Sequence, residues 1–195
     1  MSQFEVIRDM GETLKELLKE SFKANGFTTV TVSTDKPKKD NIKNLPTVNC
    51  YMYHLGFAQN WRERTDSLVS THDKQGNVVE FFRDAPAYLN ANYIVSVWGN
   101  SPGEENLLLG LVVKTFLENT ILTGPSLKGD SFYPDDKLNM HPNLQADHND
   151  VMSFWRSMSE ELRPSLFYFI RFRVESDRRS SEVTRVIGKD FALRR

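Results

Sequence analysis

Residues 86–119 read PAYLNANYIVSVWGNSPGEENLLLGLVVKTFLEN and predict a strand, a tight connection and a helix. Alternate residues from Ala87 to Val97 are apolar, which is the two-residue period of a strand with one dry face and one mixed face. Ser101 supplies a helix N-cap, Pro102 needs no amide donor at the first helical position, and Glu104 is spaced to reach back to the cap amide. Leucine and valine then recur at helical spacing, so we expect this helix to lie flat on a sheet.

The composition is that of an ordinary globular chain. Of its 195 residues, 39% are hydrophobic and 26% are charged. A chain of this length can form a stable hydrophobic core without disulfide bonds. The formal net charge of -1 and the pI of about 6.4 argue against attraction of the whole molecule to nucleic acid or membrane. The single cysteine, Cys50, excludes an internal disulfide. With no spanning apolar run and no secretory signal pattern, we expect synthesis in the cytoplasm.

Further elements are predicted on both sides of the opening stretch. Residues 66–70 and 78–82 flank a turn and predict a protruding hairpin. A lysine-rich segment, 35–44, is interpreted as an exposed loop, and 125–147, rich in Gly, Pro, Asn and Asp, as a long loop or flap. Other helices are predicted over 2–22 and 151–161, and other strands over 28–33, 47–55, 165–174 and 183–188.

These elements predict an α/β (α+β) fold. Strand 47–55 is apolar on both faces, so we expect it inside the sheet rather than at an edge. The sheet should be mixed and largely antiparallel, and about three helices should cover it. Residues 1–195 are interpreted as a single domain that ends in a basic C-terminal tail.

Groups that could carry out catalysis are few and scattered. His141, Asp147, His148 and Asp150 could ligate a metal, but their spacing matches no standard site, and solvated loop residues are the favoured interpretation. Cys50 lies in a strand among apolar neighbours, where a thiol is usually inert. An enzyme is therefore the minority interpretation.

The features that stand out favour contact with other proteins. Trp61 follows the strand 47–55 with arginines beside it, a composition typical of interface hot spots, although Trp61 folded onto the core is equally favoured. The C-terminal part is basic, and its tail could dock on a neighbouring subunit or add a strand to another sheet. The candidate interface residues are Asn60, Trp61, Arg62, Arg64, Arg171, Arg173, Arg178, Arg179, Phe191, Leu193, Arg194 and Arg195.

The order of these motifs resembles a known family. PTVNCYMYHL at 46–55, QNWRER at 59–64 and PAYLNANYIVSVWG at 86–99 are followed by EENLLLGLVVKTFLENTIL at 104–122 and ELRPSLFYFIRFRV at 161–174. This pattern resembles the small cap domain of contractile injection systems, the phage-tail-like particles whose cap protein terminates the tail sheath and tube. The resemblance covers most of the chain and is sharpest at Leu-Leu-Gly and Leu-Arg-Pro within the last two motifs.

The resemblance implies a structural cap, or terminator, rather than an enzyme, with no cofactor. Members of this family look like sixfold rings on the last layer of tube and sheath, so the implied partners are further copies of this chain and the sheath and inner tube proteins. It implies no contact with nucleic acid and no direct contact with a membrane. Two alternatives remain open: a small metal-dependent enzyme whose site is built by 125–147, and an adaptor that joins the particle to membrane or cargo.

Overall fold

The computed structural model describes residues 3–58, 67–72, 75–175 and 179–182, which contain three α-helices and nine strands. None of these helices combines the length with the hydropathy that crossing a bilayer requires. The chain divides into two units, residues 1–58 with 88–173 and residues 59–87 with 174–195. The helices are α1 (Val6–Ala24), α2 (Pro102–Glu118) and α3 (His148–Met158). The strands are β1 (Thr31–Ser33), β2 (Thr47–Phe57), β3 (Ser67–His72), β4 (Val78–Arg83), β5 (Ala87–Trp98), β6 (Ile121–Thr123), β7 (Lys137–Pro142), β8 (Ser165–Val174) and β9 (Arg179–Glu182).

The larger unit is built on a six-stranded sheet with the order β1-β2-β5-β8-β7-β6. Strand β1 runs parallel to β2, whereas the pairs β2–β5, β6–β7 and β7–β8 are antiparallel. The prediction of a mixed, largely antiparallel sheet is therefore confirmed. Strand β2 lies between two neighbours and is buried from Thr47 to Cys50, as expected for a strand that is apolar on both faces.

Helices cover both faces of this sheet. On one face α1 packs against β1, β2 and α2, and the α2 residue Phe116 meets Tyr168 of β8 with 4.8 Å between ring centroids. On the other face α3 places Trp155 against Trp98 of β5 at 6.1 Å. Because side chains alternate along a strand, these two contacts use opposite faces of the same sheet.

Strand β5 shows what α3 does to the face it covers. Ile94, Ser96 and Trp98 were expected on a mixed face, but all three are buried, because α3 covers that end of the strand. Tyr88, at the other end of the same face, is 47% exposed. The prediction of one dry and one mixed face is thus correct only for the part of β5 that α3 does not reach.

The start of α2 agrees with the sequence. Ser101 Oγ accepts the Glu104 backbone N–H at 3.3 Å, and Pro102 is the first helical residue. The Glu104 carboxylate accepts the backbone N–H of Asn100 at 2.7 Å instead of the amide of the cap residue itself. The first hydrogen bond satisfies an amide that the helix leaves without a partner, and the second holds the residue that precedes the cap.

The largest departure from the prediction lies in the segment 125–147. It contains β7, which pairs on both sides with β6 and β8 and completes the sheet. Only Leu138 and Met140 are buried in this strand, and Pro142 ends it, so the apolar alternation is too short to stand out among loop residues. About a quarter of the residues in 125–147 therefore belong to the sheet, and the prediction of a long loop or flap is wrong for that part.

Several other elements also differ from their predicted ranges. Strand β1 covers only Thr31–Ser33 of the predicted 28–33, and α3 begins at His148, before the predicted start at Val151. Residues 179–182, which lie between the predicted strands 165–174 and 183–188, form β9 against β4, since backbone pairing does not need apolar side chains. The predicted strand 183–188 lies outside the described residues.

The smaller unit contains a three-stranded sheet with the order β3-β4-β9. The predicted hairpin is confirmed, because β3 and β4 pair in antiparallel register from Ser67 opposite Arg83 to His72 opposite Val78. Gly76 in the connecting turn has φ +85°, a backbone conformation that favours glycine.

Candidate interaction surface

Two of the candidate interface residues, Arg171 and Arg173, have described side chains. The others fall outside the described part of the chain, and of Arg179 only the backbone in β9 is described. Those not described are Asn60, Trp61, Arg62, Arg64, Arg178, Phe191, Leu193, Arg194, Arg195 and the side chain of Arg179.

Both arginines lie on the part of the sheet that α3 leaves uncovered. Tyr168, Ile170 and Phe172 point into the core beneath α1 and α2, so the intervening Arg171 and Arg173 take the opposite face, as the alternation of β8 predicts. An α-helix of 11 residues is about 16 Å long, while a ten-residue strand extends about 33 Å. One short helix therefore cannot cover this face from end to end.

We call the uncovered part the open half of the sheet. Its side chains come from three neighbouring strands, and their register places them together: Asn139 lies opposite Arg171, and His141 opposite Phe169. The part beneath α3, which includes Tyr51, Tyr53, Ile94, Trp98 and Phe167, is the covered half. The open half consists of Tyr88, Asn90, Asn92, Lys137, Asn139, His141, Phe169, Arg171 and Arg173.

Arg171 is an accessible cation of the open half, as is Lys137 on β7. The Arg171 side chain is exposed, and Nε donates to Asn90 Oδ1 on β5 at 3.0 Å. The guanidinium carbon lies 6.0 Å from the centroid of the Phe169 ring, which is at the limit of a cation–π contact. These contacts orient Arg171 without neutralising its charge, so the guanidinium can still bind a carboxylate of another molecule.

Arg173 is held by two carboxylates. Nε donates to Asp136 Oδ1 at 2.9 Å, and Nη2 donates to both oxygens of Asp135 at 2.9 and 3.0 Å. Burial opposes the charged guanidinium, but the hydrogen bonds and charges of the two aspartates outweigh it and raise the pKa of Arg173. Together with Tyr88 and Lys137 these residues line a cleft of about 200 Å³ whose charges largely balance.

The segment that carries Asp135 and Asp136 is anchored to α1 on its other side. The carboxylate of Asp9 is buried and accepts the backbone N–H of Ser131 at 3.3 Å and its hydroxyl at 2.8 Å. Burial alone would raise the pKa of Asp9, but the hydrogen bonds from Ser131 and Arg8 lower it overall. This anchor fixes the wall of the cleft.

Two further contacts complete the anchor. Thr13, one turn after Asp9, accepts the backbone N–H of Lys128 at 2.9 Å and donates to the Asp9 carbonyl. Gly129 has φ +99°, and a Cβ at this position would collide with the Asp9 carboxylate. Asp9 was not predicted as a structural residue, although a carboxylate and a threonine within the apolar stripe of a helix were a usable signal.

Three of the four residues considered as metal ligands, His141, Asp147 and Asp150, have other contacts in the structure. Asp147 caps α3 by accepting the backbone N–H groups of Asn149 and Asp150 at 2.7 and 3.0 Å, and Asp150 accepts the N–H of Asp147 at 2.9 Å. His141 packs on Phe169 at 5.1 Å between ring centroids. Among the residues with described positions, no three His, Cys, Asp or Glu side chains form a group that could hold a metal ion.

Cys50 is placed as the sequence suggests. Its thiol is fully buried in β2, and burial raises its pKa to about 12. A thiol in this environment stays protonated at neutral pH and is a poor nucleophile. The prediction that Cys50 is a small buried core residue is confirmed.

A groove of about 570 Å³ borders the open half where α3 meets the sheet. Tyr53 and Phe167 line it from the strands and Phe154 from α3, while His54 and Asn92 share a hydrogen bond of 3.0 Å at its edge. Its mixture of aromatic and amide groups extends the open half toward α3 with surface that can form both apolar and polar contacts.

Comparison with known proteins places the chain in a family. The model of the Pvc16 N-terminal domain family matches residues 9–189, which is most of the sequence. No protein of curated function matches the chain significantly.

Two solved structures share its fold. One is the sheath/tube terminator of an extracellular contractile injection system, PVC, in the extended state, which aligns with 94% of this chain at 14% identity and a TM-score of 0.65. The other is the tube-terminating cap of the anti-feeding prophage, which aligns with 99% at 15% identity and a TM-score of 0.62. This chain spans 62% of the length of each of them. At such identities the similarity establishes a common fold.

Proposed function

The chain belongs to the Pvc16 N-terminal domain family, and from this membership we propose that it is a structural cap subunit that ends the tube and sheath of a phage-tail-like contractile injection system. The observation that carries the proposal is the family match over 9–189, supported by the fold shared with a sheath/tube terminator and a tube-terminating cap. The role is non-enzymatic: the protein acts by occupying a surface.

Termination follows from the way a stacked polymer grows. Each layer of a tube or sheath presents an acceptor surface to the next layer, and a terminator binds this surface without presenting an equivalent one. A ring of identical subunits adds avidity, because several weak contacts engage together. We propose a homohexameric ring, in which each contact is head-to-tail and joins two different patches of neighbouring subunits.

The larger unit offers two unlike surfaces on opposite faces of its sheet. One is the open half, which is polar and carries the exposed Arg171. The other is the outer side of α2, where Leu107 and Leu117 are 58% and 64% exposed. Within the described part of the chain, exposed leucines lie on one face and exposed strand residues on the other, and this difference favours a head-to-tail contact over a symmetric one.

The other properties that we propose for the cap come from its family and from its net charge. Its partners are other copies of the chain and the tail sheath and inner tube proteins, and its near-neutral charge gives it no general attraction to nucleic acid or to a membrane surface. It is made in the cytoplasm and incorporated into the particle there. No cofactor takes part.

The experiment is electron microscopy of particles from cells that lack this gene, with particle length and end structure scored. The proposal predicts overlong or ragged tubes and sheaths, and restoration of uniform, closed ends by the wild-type gene. Two variants of the gene should be introduced into the deletion strain as a matched pair. Leu117→Glu, on the outer side of α2, should not restore closed particle ends, whereas Lys23→Glu, at an exposed position of α1, should restore them. Particles of normal length with closed ends in the deletion strain would overturn the proposal.

A further inference from the structure

The hairpin of the smaller unit ends in an open sheet edge. Strand β3 is the outer strand of the sheet β3-β4-β9, and within the described part of the chain it pairs with β4 alone. An edge strand has a row of backbone N–H and C=O groups that point away from its partner, and these groups can pair with a strand of another molecule. With six residues, β3 can accept an extended segment about 20 Å long.

This edge lacks the features by which proteins usually block such pairing. Strand β3 reads SLVSTH, contains no Lys, Arg, Asp, Glu or Pro, and pairs with β4 in continuous register. The other end strands of the two sheets are shorter, because β1 and β6 have three residues and β9 has four. A short edge offers few backbone groups, so β3 is the described edge best suited to the addition of a strand.

The hairpin also exposes apolar side chains on one of its faces. Leu68 lies opposite Phe82 and His72 opposite Val78, so these four side chains share a face. Leu68, Phe82 and Val78 are 46%, 43% and 61% exposed, whereas Phe81, on the other face of β4, is 5% exposed. A strand added beside β3 would place its own alternate side chains next to Leu68 and extend this apolar face.

Few ionisable groups lie on the same face. Glu80 is 8% exposed, and its carboxylate accepts the Ser70 hydroxyl at 3.2 Å. His72 is exposed at the end of β3. The charged residues closest to β3 in the sequence, at positions 66, 73 and 74, lie beyond the two ends of the strand. An edge without charges along its length offers no ion pair to a charged segment and therefore favours an uncharged one.

We propose that β3 binds an extended segment of a different protein, which adds antiparallel to it as a further strand. The segment is uncharged over about six residues and has an apolar side chain at every second position, on the face of Leu68 and Phe82. Backbone hydrogen bonds supply the affinity, and the apolar alternation selects the segment and its register.

A second copy of this chain is not the occupant. Pairing of β3 with β3 would be a two-fold contact, which the proposed head-to-tail ring does not contain, and the other described edges of a second copy are shorter. The inference deepens the proposed function by giving the chemistry of one partner segment. It rests on that function only for the exclusion of a second copy.

The test is a titration of the purified, ¹⁵N-labelled chain with the peptide acetyl-Lys-Thr-Val-Thr-Val-Thr-Val-Lys-amide, followed by NMR. The backbone amide resonances of β3 should shift saturably, while those of β8 stay in place. Acetyl-Lys-Val-Val-Val-Thr-Thr-Thr-Lys-amide, which has the same composition without the alternation, should bind several-fold more weakly. Successive amides of an extended strand point to opposite edges, so N-methylation of the three valines or of the three threonines should abolish binding in one case and preserve it in the other.

Two variants at one position locate the site. Leu68→Lys places a charge beside the edge and should weaken peptide binding several-fold, whereas Leu68→Val keeps an apolar, strand-forming side chain and should bind the peptide as the wild type does. The absence of a saturable shift in β3, equal binding of the two peptide orders, or equal effects of the two methylations would overturn the inference.

The oligomeric state supplies a separate check. A dimer in analytical ultracentrifugation whose β3 amides are protected from hydrogen exchange without peptide would also overturn the inference, because the occupant would then be a second copy. Peptide binding is measured without particles. A deletion strain with normal particle ends would therefore overturn the cap function and leave the binding result intact.

Discussion

The covered and open halves are two parts of one sheet face that share strands β5 and β8, and they differ in what lies above them. In the covered half, Ile94 and Trp98 are buried against Trp155 of α3. In the open half, the same alternation brings Asn90 and Arg171 to the surface. The comparison shows that strand periodicity determines which face a side chain takes, whereas a helix from elsewhere in the chain determines whether that face becomes core or stays free for a partner.

The largest expected effect is in the covered half. Trp155→Ala removes the ring that packs on Trp98 and leaves a cavity beneath α3, so we expect the free energy of unfolding to fall by about 3–5 kcal/mol in urea denaturation. Met152→Ala, at a 38% exposed position of the same helix, is the control and should cost less than about 1 kcal/mol. Equal losses for the two variants would mean that α3 does not create the covered half.

Asp9→Asn tests the anchor that holds the wall of the open half. The substitution leaves the Ser131 donors and the adjacent Arg8 without a carboxylate, so we expect a loss of about 2 kcal/mol in the free energy of unfolding at pH 7. Asp130→Asn, at an exposed position of the same segment, is the control and should change the free energy of unfolding by less than about 0.5 kcal/mol.

The Asp9 effect should also depend on pH. The pKa of Asp9 is lowered on folding, so the stabilisation is present above the pKa of an unfolded-chain carboxyl and is lost as pH falls through the lower folded value. Urea denaturation of the wild type and Asp9→Asn should therefore give a stability difference that shrinks below about pH 4. A difference that persists unchanged in acid would contradict the anchor as described.

Arg173→Met should lower the free energy of unfolding less than Asp9→Asn does. It leaves Asp136, which is 7% exposed, without its cationic partner, and we expect a loss of about 1 kcal/mol in urea denaturation. The double variant with Asp136→Asn should lose less than the sum of the two single variants, because the pair acts together. If the losses in free energy of unfolding of the two single variants add up in the double variant, the Arg173–Asp136 ion pair does not stabilise the cleft.

Arg171→Glu should have the smallest effect on stability and a large effect on assembly. Its side chain is exposed, so the free energy of unfolding should change by less than about 0.5 kcal/mol. Complementation of the deletion strain with this variant should nevertheless fail to restore closed ends. A large loss of stability would mean that the open half is packed, and normal complementation would remove Arg171 from the proposed contact.

Much of this arrangement is readable in the sequence because its signals are local. Ser101 and Pro102 predict the start of α2. The alternation of apolar residues from Leu166 to Val174 predicts that Arg171 and Arg173 lie on the strand face opposite the core. The order of motifs indicated a cap family, and membership in the Pvc16 N-terminal domain family confirms it.

The features that were missed depend on residues far apart in the chain. Asp9 accepts hydrogen bonds from Ser131, which is distant in the sequence, and the residues next to Asp9 in the sequence do not predict this partner. Strand β7 contributes only two buried residues and is defined by pairing on both sides, and β9 has no apolar pattern of its own. The roles of the candidate interface residues stay predictions.

Cryo-EM of the intact particle, with its closed end resolved, would show directly whether this chain is the cap. We expect a closing ring of six copies of this fold on the last layer of tube and sheath, with the open half of each copy in contact with a neighbouring chain. An end closed by another protein, or a ring in which the open half faces solvent in every copy, would contradict it.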